Sequence, residues 1–325
     1  MTKRLARAGK FIVPLILGFF IARTILRNWQ QVREADWQFT PLYIVVALVL
    51  SAPWFVYRPF IWKLLLARFG SDLPFGGAFR IMRQAELSRY VPGTVWQYLS
   101  RVYLASRWGV PTTACLGATL IETVLLLLAA LPPALWNLQE MLPVVERYQW
   151  IMLAVFLIAS VAVVHPRILN WWAAILARYT KQPYQELRVG WMTLAGIWIS
   201  YVGVWLSLGV GLAFFVRGVM LIPFEQFPRL AGDYAASWVA SMLAVVAPAG
   251  MGVRDGVFGL LLSRMMPLAT ALTVALAVRL WLTLLELAWV AVARSQPGSP
   301  SELKRGRGTQ RHDADPARPP APKPD

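Results

Sequence analysis

Arg89-Tyr90-Val91-Pro92-Gly93-Thr94-Val95-Trp96-Gln97 interrupts a stretch, residues 73–108, that is too apolar for a loop and too charged for an ordinary membrane span. A second such stretch, residues 230–266, is interrupted by Val246-Ala247-Pro248-Ala249-Gly250-Met251-Gly252-Val253-Arg254-Asp255-Gly256. Pro92 is followed nineteen residues later by Pro111, and Pro248 nineteen residues later by Pro267. In both, a Pro/Gly break is followed by about four helical turns, another Pro, and an Ala/Thr-rich apolar run. The following runs carry charge, Glu122 in one and Arg279 with Glu286 in the other. The matched spacing reads as an internal repeat of two helical hairpins.

The rest of the chain supplies a membrane setting for them. Of 325 residues, 58% are hydrophobic and only 15% charged, with a mean hydropathy of +0.52. Water-soluble chains are nearer half apolar and a quarter charged, so the composition points to a polytopic, all-α membrane protein. A formal net charge of +16 is unusual in such a chain. The lone Cys115 excludes a disulfide framework and a cysteine metal site. The two histidines, His165 and His312, offer no metal-ligand spacing and no Ser-His-Asp set. No nucleotide or metal motif is present, so neither a cofactor nor an enzymatic activity is expected. Nucleic acid is a poor partner, because most basic residues flank hydrophobic runs.

Six stretches fit the roughly 20 apolar residues that a bilayer core requires: residues 11–26, 42–62, 112–135, 148–165, 189–216 and 268–293. The basic N-terminus, with Lys3, Arg4, Arg7 and Lys10, precedes the first, which reads as a retained helix because residues 21–28 lack a small-residue cleavage site. The fifth is long, with Gly203, Gly209 and Gly211 as points of bending or packing. Lys/Arg bias places the N-terminus, the 58–68 side and the 165–188 side in the cytoplasm. Residues 1–293 form the membrane domain, and the Pro-, Gly- and charge-rich residues 294–325 a disordered cytoplasmic tail. With both termini inside, the crossings are even in number. About six spans then require both awkward stretches to be re-entrant hairpins, one opening on each side, as an inverted repeat. The other layout makes residues 231–247 a full span and puts the tail outside.

Residues 63–107 hold seven basic residues against Asp72 and Glu86. Arg83, Glu86 and Tyr90 share one helical face, as do Gly93, Gln97 and Arg101. Arg68, Arg80 and Arg107 read as residues that snorkel to an anionic leaflet. Arg89 and Arg101, closer to a tip that must be lined by protein, read as part of a cationic pocket for a phosphate. In the second hairpin, Gly250 and Gly252 permit a strained turn ahead of Arg254 and Asp255. Neighbours in sequence do not face each other on a helix, so these two charges are expected to find partners among Arg101, Glu122, Arg279 and Glu286. Arg279, Thr283 and Glu286 lie on one face of the last span.

The two signatures, Arg89-Tyr-Val-Pro-Gly-Thr-Val-Trp-Gln-Tyr with Arg101, Gly109-Val-Pro and Glu122, and Pro248-Ala-Gly-Met-Gly-Val-Arg-Asp-Gly256 with Arg279 and Glu286, resemble those of the lysylphosphatidylglycerol synthase transmembrane (flippase-like) family. The resemblance covers about residues 10–293, and departs where the family usually has Glu in place of Asp255. Without the soluble synthetase domain, the transferase activity is not carried over. The resemblance implies lipid translocation, or handling of a lipid-linked precursor, within the inner membrane. The expected cargo is an anionic phospholipid or a polyprenyl-phosphate-linked lipid. Its phosphate would be held at the hairpin tips by Arg89, Arg101 and Arg254, with Tyr90, Pro92, Gly93, Gln97, Pro248, Gly250 and Gly252 shaping the site. Asp255, Glu122, Arg279 and Glu286 would hold or release those arginines. The alternative is a non-transporting subunit that presents a lipid carrier to a partner glycosyltransferase.

Overall fold

A computed structural model describes residues 19–90, 96–138, 147–148, 151, 154–155, 158, 160, 165–180, 189–243 and 252–296. Residues 19–27 are helical. The helices that follow are α1 (Trp29–Arg33), α2 (Pro41–Arg68), α3 (Phe75–Leu87), α4 (Trp96–Ser106), α5 (Thr112–Leu138), α6 (Pro166–Thr180), α7 (Trp191–Val219), α8 (Phe227–Leu243), α9 (Val253–Leu262) and α10 (Leu268–Arg294). Among the described residues there is no strand, only an isolated bridge between Trp37 and Met220. Proline marks the helix starts: Pro41 opens α2, and Pro74, Pro111 and Pro267 stand immediately before α3, α5 and α10. At those positions the missing N–H is one that no intrahelical bond would use.

Helix α2 packs along α7, and the two run antiparallel. Ile44 meets Gly218, Ser51 meets Gly211, Trp54 packs on Trp205 at 4.8 Å, and the Tyr57 hydroxyl donates to Ser200. Helices α3 and α4 fold back on each other between α2 and α5, and α8 and α9 do the same between α7 and α10. The start of α3 lies beside the residues after α4, with Gly77 against Trp108. The middle of α8 lies beside the residues after α9, with Asp233 paired to Arg264. The first pair therefore opens at the end of the bundle where α2 finishes and α7 begins. The second opens at the opposite end, where α2 begins and α7 finishes. Helix α10 returns to the first end, where Gln296 meets Gly76 and accepts from Arg80. Each group of four elements is thus a long helix, two shorter paired helices and a second long helix.

Four helices among the described residues are long and apolar enough to cross a membrane: Pro41–Arg68, Thr112–Leu135, Trp191–Val219 and Leu268–Arg294. They correspond to the expected spans 42–62, 112–135, 189–216 and 268–293. The first runs six residues further than expected, to Arg68. The expected span 11–26 lies mostly outside the described residues, as does most of 148–165. Leu42, Val49, Phe60, Met192, Ile199, Leu280 and Leu284 are exposed on the outside, while Arg83, Arg101, Glu122, Asp233, Asp255 and Glu286 are buried. An apolar exterior around a charged interior is the arrangement of a helical membrane protein.

Tight packing of α7 holds this arrangement together. The buried Trp205 contacts Trp54, Tyr234 and Trp238 and donates to the Leu126 carbonyl at 3.0 Å. It is a packing residue rather than an interfacial anchor. A Cβ added at Gly209 would lie 2.4 Å from the Ala231 Cβ and 2.9 Å from its Cα, so α8 approaches α7 backbone to backbone. At Gly203 an added Cβ meets nothing within 4 Å. Gly209→Val is expected to destabilise the protein by about 1–3 kcal/mol or more through overpacking. Gly203→Ala should be neutral or slightly stabilising. Thermal unfolding in detergent checks both, and equal melting temperatures for the two variants would contradict this packing.

Candidate functional site

The bundle interior holds a set of arginines and carboxylates, built from both hairpins and from the long helices behind them. Its first part surrounds α2. Arg58 pairs with Glu86 of α3 at 2.8 Å and with Glu122 of α5 at 2.9 Å. Arg83 meets Glu86 at 2.7 Å, and Arg101 of α4 meets Glu122 at 2.6 Å. The three guanidiniums lie over aromatic rings of α2: Arg58 over Trp54, Arg83 over Phe55 and Arg101 over Trp62, at 5.2–5.4 Å. Thr119 accepts from the Trp62 indole and, at 3.4 Å, from Arg101. Ion pairs and ring faces together replace the water these cations lose.

Antiparallel packing sets how far the first hairpin reaches. Glu86 lies beside Arg58, so the backbone four residues on, at Tyr90, is level with the surroundings of Trp54. Trp54 is midway along the 28 residues of α2. On the returning limb Arg101 meets Glu122, ten residues into α5 and about 15 Å from its start.

The second part joins the two hairpins. Arg89, in the 3-10 turn Ser88–Tyr90 that ends the first limb, pairs with Glu286 of α10. Asp255 of α9 pairs with Arg279 of α10 and is approached at 3.6 Å by its neighbour Arg254. Arg254 also lies over the Tyr234 ring of α8, at 5.8 Å. Gly252 precedes this turn with φ +81°, a backbone conformation that strains any residue with a side chain. Tyr234 lies within electrostatic reach of Arg254, Asp255, Arg89 and Arg279, and Glu86 within reach of Arg58, Arg83, Arg89 and Arg101. Arg89 therefore contributes to the electrostatic surroundings of both parts.

The two hairpins present the same pairing with opposite sign. In the first, the second limb brings the cation, Arg101, and the following long helix the anion, Glu122. In the second, the limb brings the anion, Asp255, and the helix the cation, Arg279. Among the described residues the set holds six arginines (58, 83, 89, 101, 254 and 279) and four carboxylates (86, 122, 255 and 286). Its formal charge is therefore +2. Side-chain exposure is 0%, 7% and 12% for Arg83, Arg101 and Arg58, but 35%, 23% and 22% for Arg89, Arg279 and Arg254. The first three are enclosed by their partners, and the last three keep more exposed surface.

The expected site residues Arg89, Arg101, Glu122, Arg254, Asp255, Arg279 and Glu286 all fall in this set. Gln97 is partly buried one turn before Arg101 on α4, and Gly252 caps α9. Tyr90 is placed by its backbone, at the end of the first limb. Pro92, Gly93, Pro248 and Gly250 lie outside the described residues. Asp255 finds its expected partner in Arg279, but Arg254 reaches back to Asp255 itself. In the first turn after Gly252 the flexible arginine stem can curl toward its neighbour. Sequence reasoning missed Arg58 as a member, treating it as a charge at the cytoplasmic end of a span. Its signal was its place between aromatic residues, Tyr57 and Phe60, within an apolar run. It also missed Asp233, wholly buried and paired with Arg264. An open cleft lined by Glu34, Asp36, Met220, Pro223, Met266 and Thr270 lies at the end where the second hairpin opens, and none of the paired arginines lines it.

No protein-family model, curated protein or solved structure matches this chain. The resemblance to the flippase-like family therefore rests on the two motifs.

Glu122 answers two arginines, whereas Arg101 is one of two that answer Glu122. Glu122→Gln is thus expected to cost about 3–5 kcal/mol, because it leaves buried cations without their counter-charge. Arg101→Gln should cost clearly less, since Arg58 still neutralises Glu122. Thermal unfolding of the two variants in detergent measures the order, and an Arg101→Gln variant as unstable as Glu122→Gln would contradict it.

Proposed function

We propose that this chain is a flippase-like protein of the inner membrane that handles an anionic phospholipid or a polyprenyl-phosphate-linked lipid. Its two helical pairs would be re-entrant hairpins forming an inverted repeat, with tips near the middle of the bilayer. The observation that carries this reading is the interior charge of +2 among the described residues, one unit around α2 and one where the two pairs of short helices meet. Buried charge without compensation is costly, and a membrane interior offers no water to relieve it. An excess of arginine there is accounted for by an anion that comes and goes. Arg89 at the first tip and Arg254 and Arg279 at the second would hold the phosphate. Arg58, Arg83 and Arg101, enclosed by Glu86 and Glu122, would keep the first hairpin in place.

The inverted repeat supplies a route for movement. Secondary transporters built this way place their site between repeats and expose it to either side by rocking one repeat against the other. Here the Arg89–Glu286 pair crosses from one repeat to the other, so it is the contact that such a motion must break or re-form. The Lys/Arg distribution sets the orientation: the first hairpin would open to the cytoplasm with both termini, the second to the outer face.

Purified protein in liposomes is expected to move a labelled anionic lipid between leaflets. Arg254→Ala should slow this by about tenfold or more, as expected for loss of a charge-assisted contact. The same variant should remain folded, because Asp255 keeps Arg279. Translocation at the wild-type rate in Arg254→Ala would overturn the role given to the second tip.

A further inference from the structure

The end of the bundle at which the first hairpin opens carries a basic surface. Arg68 at the end of α2, Arg107 just after α4 and Arg294 at the end of α10 are all exposed there. Contacts at the start of α3 bring these three chain segments to one end. An added Cβ at Gly77 would meet Trp108 at 3.1 Å and Leu73, in the link from Arg68 to α3, at 3.3 Å. One at Gly76 would meet Gln296. Arg80 is committed differently, donating to the Gln296 carbonyl. Asp72 is the exposed acid beside the three arginines. The opposite end exposes the acids Glu34, Asp36 and Glu225 beside Arg33.

The flanks of this surface say what it meets. Exposed Tyr103 lies one turn before Arg107, and exposed Phe60 two turns before Arg68. Exposed Leu287 lies two turns before Arg294 on the same face of α10. Apolar surface that passes into guanidinium within a turn or two suits the boundary between acyl chains and phosphate headgroups. A water-soluble polyanion would meet the basic rim and leave the apolar flanks unmatched. The sequence continues the same chemistry from the same end, because Gln296 is held against α3. Lys304, Arg305, Arg307 and Arg311 follow, with no acid among residues 304–311. Even fully extended, the eight residues from Gln296 carry Lys304 no further than about 29 Å. A basic run of this density beside a membrane span is attracted to an anionic leaflet.

We propose that this end is a docking surface for anionic phospholipid headgroups, in which Arg68, Arg107 and Arg294 act together with residues 304–311. It gathers anionic lipid at the opening of the first hairpin. The gathering role rests on the lipid-handling reading above, whereas the docking stands without it. The headgroups are held by a field spread over several arginines rather than by a shaped pocket. Docking therefore selects charge over headgroup structure and weakens as salt shortens the reach of that field.

The test places a fluorophore on Thr309→Cys in a Cys115→Ala background, with the full chain in nanodiscs that carry a headgroup-attached quencher. Quenching should be about twofold or more stronger when phosphatidylglycerol is added to phosphatidylcholine, and high salt should remove the difference. Neutralising the run (Lys304→Gln, Arg305→Gln, Arg307→Gln and Arg311→Gln together) should bring quenching to the phosphatidylcholine level. Neutralising the described surface (Arg68→Gln, Arg107→Gln and Arg294→Gln together) should weaken it. Equal quenching with and without phosphatidylglycerol would overturn the docking. A fluorophore that ignores both bilayers but responds to added RNA would overturn it as well, in favour of a soluble polyanion. For the gathering role, the neutralised run should raise the half-saturating fraction of a translocated anionic lipid about fivefold or more, the scale of one basic residue at an anionic surface. Its maximal rate should not change. An unchanged half-saturating fraction would overturn the gathering role, and wild-type protein that docks but translocates no lipid would overturn the lipid-handling reading instead.

Discussion

An arginine inside an apolar bundle must bring its counter-charge with it, and the fold of this chain is organised around that requirement. Arg58 alone joins α2 to α3 through Glu86 and to α5 through Glu122. Arg101 closes the returning limb onto the same Glu122, and Arg83 closes the outgoing limb onto the same Glu86. A helix shorter than a membrane span has too little apolar surface to fix its own depth. Here the position of α3 and α4 in the bundle is set by ion pairs, Glu86 to Arg58 and Arg101 to Glu122. The second pair of short helices is held by the same device with signs exchanged, Asp255 to Arg279 and Asp233 to Arg264.

That device separates two kinds of arginine. Those around α2 are closed off by carboxylates and ring faces and hold the first pair of short helices in place. Those where the two pairs of short helices meet are more exposed, and each group holds one arginine more than its carboxylates. A positive interior is a liability in an empty bundle and an advantage in one that receives an anion. The proposed lipid cargo follows from this division of labour: an enclosed framework holds the first hairpin, and the more exposed arginines would meet the cargo.

Much of this was legible in the sequence because it depends on local spacing. The apolar runs marked the four long helices to within about three residues, except at the end of α2, which runs six further, and each Pro-to-Pro interval ends at the start of a long helix, α5 or α10. Asp255 with Arg279 could be anticipated because mid-span charges in adjacent elements have few alternatives. Arg58 could not, since its partners lie 28 and 64 residues away and it sat near an expected span end that proved to continue to Arg68. Asp233 escaped for a related reason: its partner Arg264 lies beyond the far end of α9, and only the folding back of that helix brings them together. The close approach of α7 and α8 at Gly209 was legible as a packing glycine, but not which helix it met.

Sidedness of the hairpin bases tests the central claim, that two hairpins enter from opposite faces and return. Single cysteines at Asp72 and Arg107 flank the first hairpin, and at Glu225 and Ser263 the second, in a Cys115→Ala background. Labelling with a membrane-impermeant maleimide in intact and inverted vesicles should show residues 72 and 107 on one face and residues 225 and 263 on the other. Labelling of the two bases of either hairpin from opposite faces would contradict the account, because that segment would then be a crossing and its arginines would not meet at a common depth.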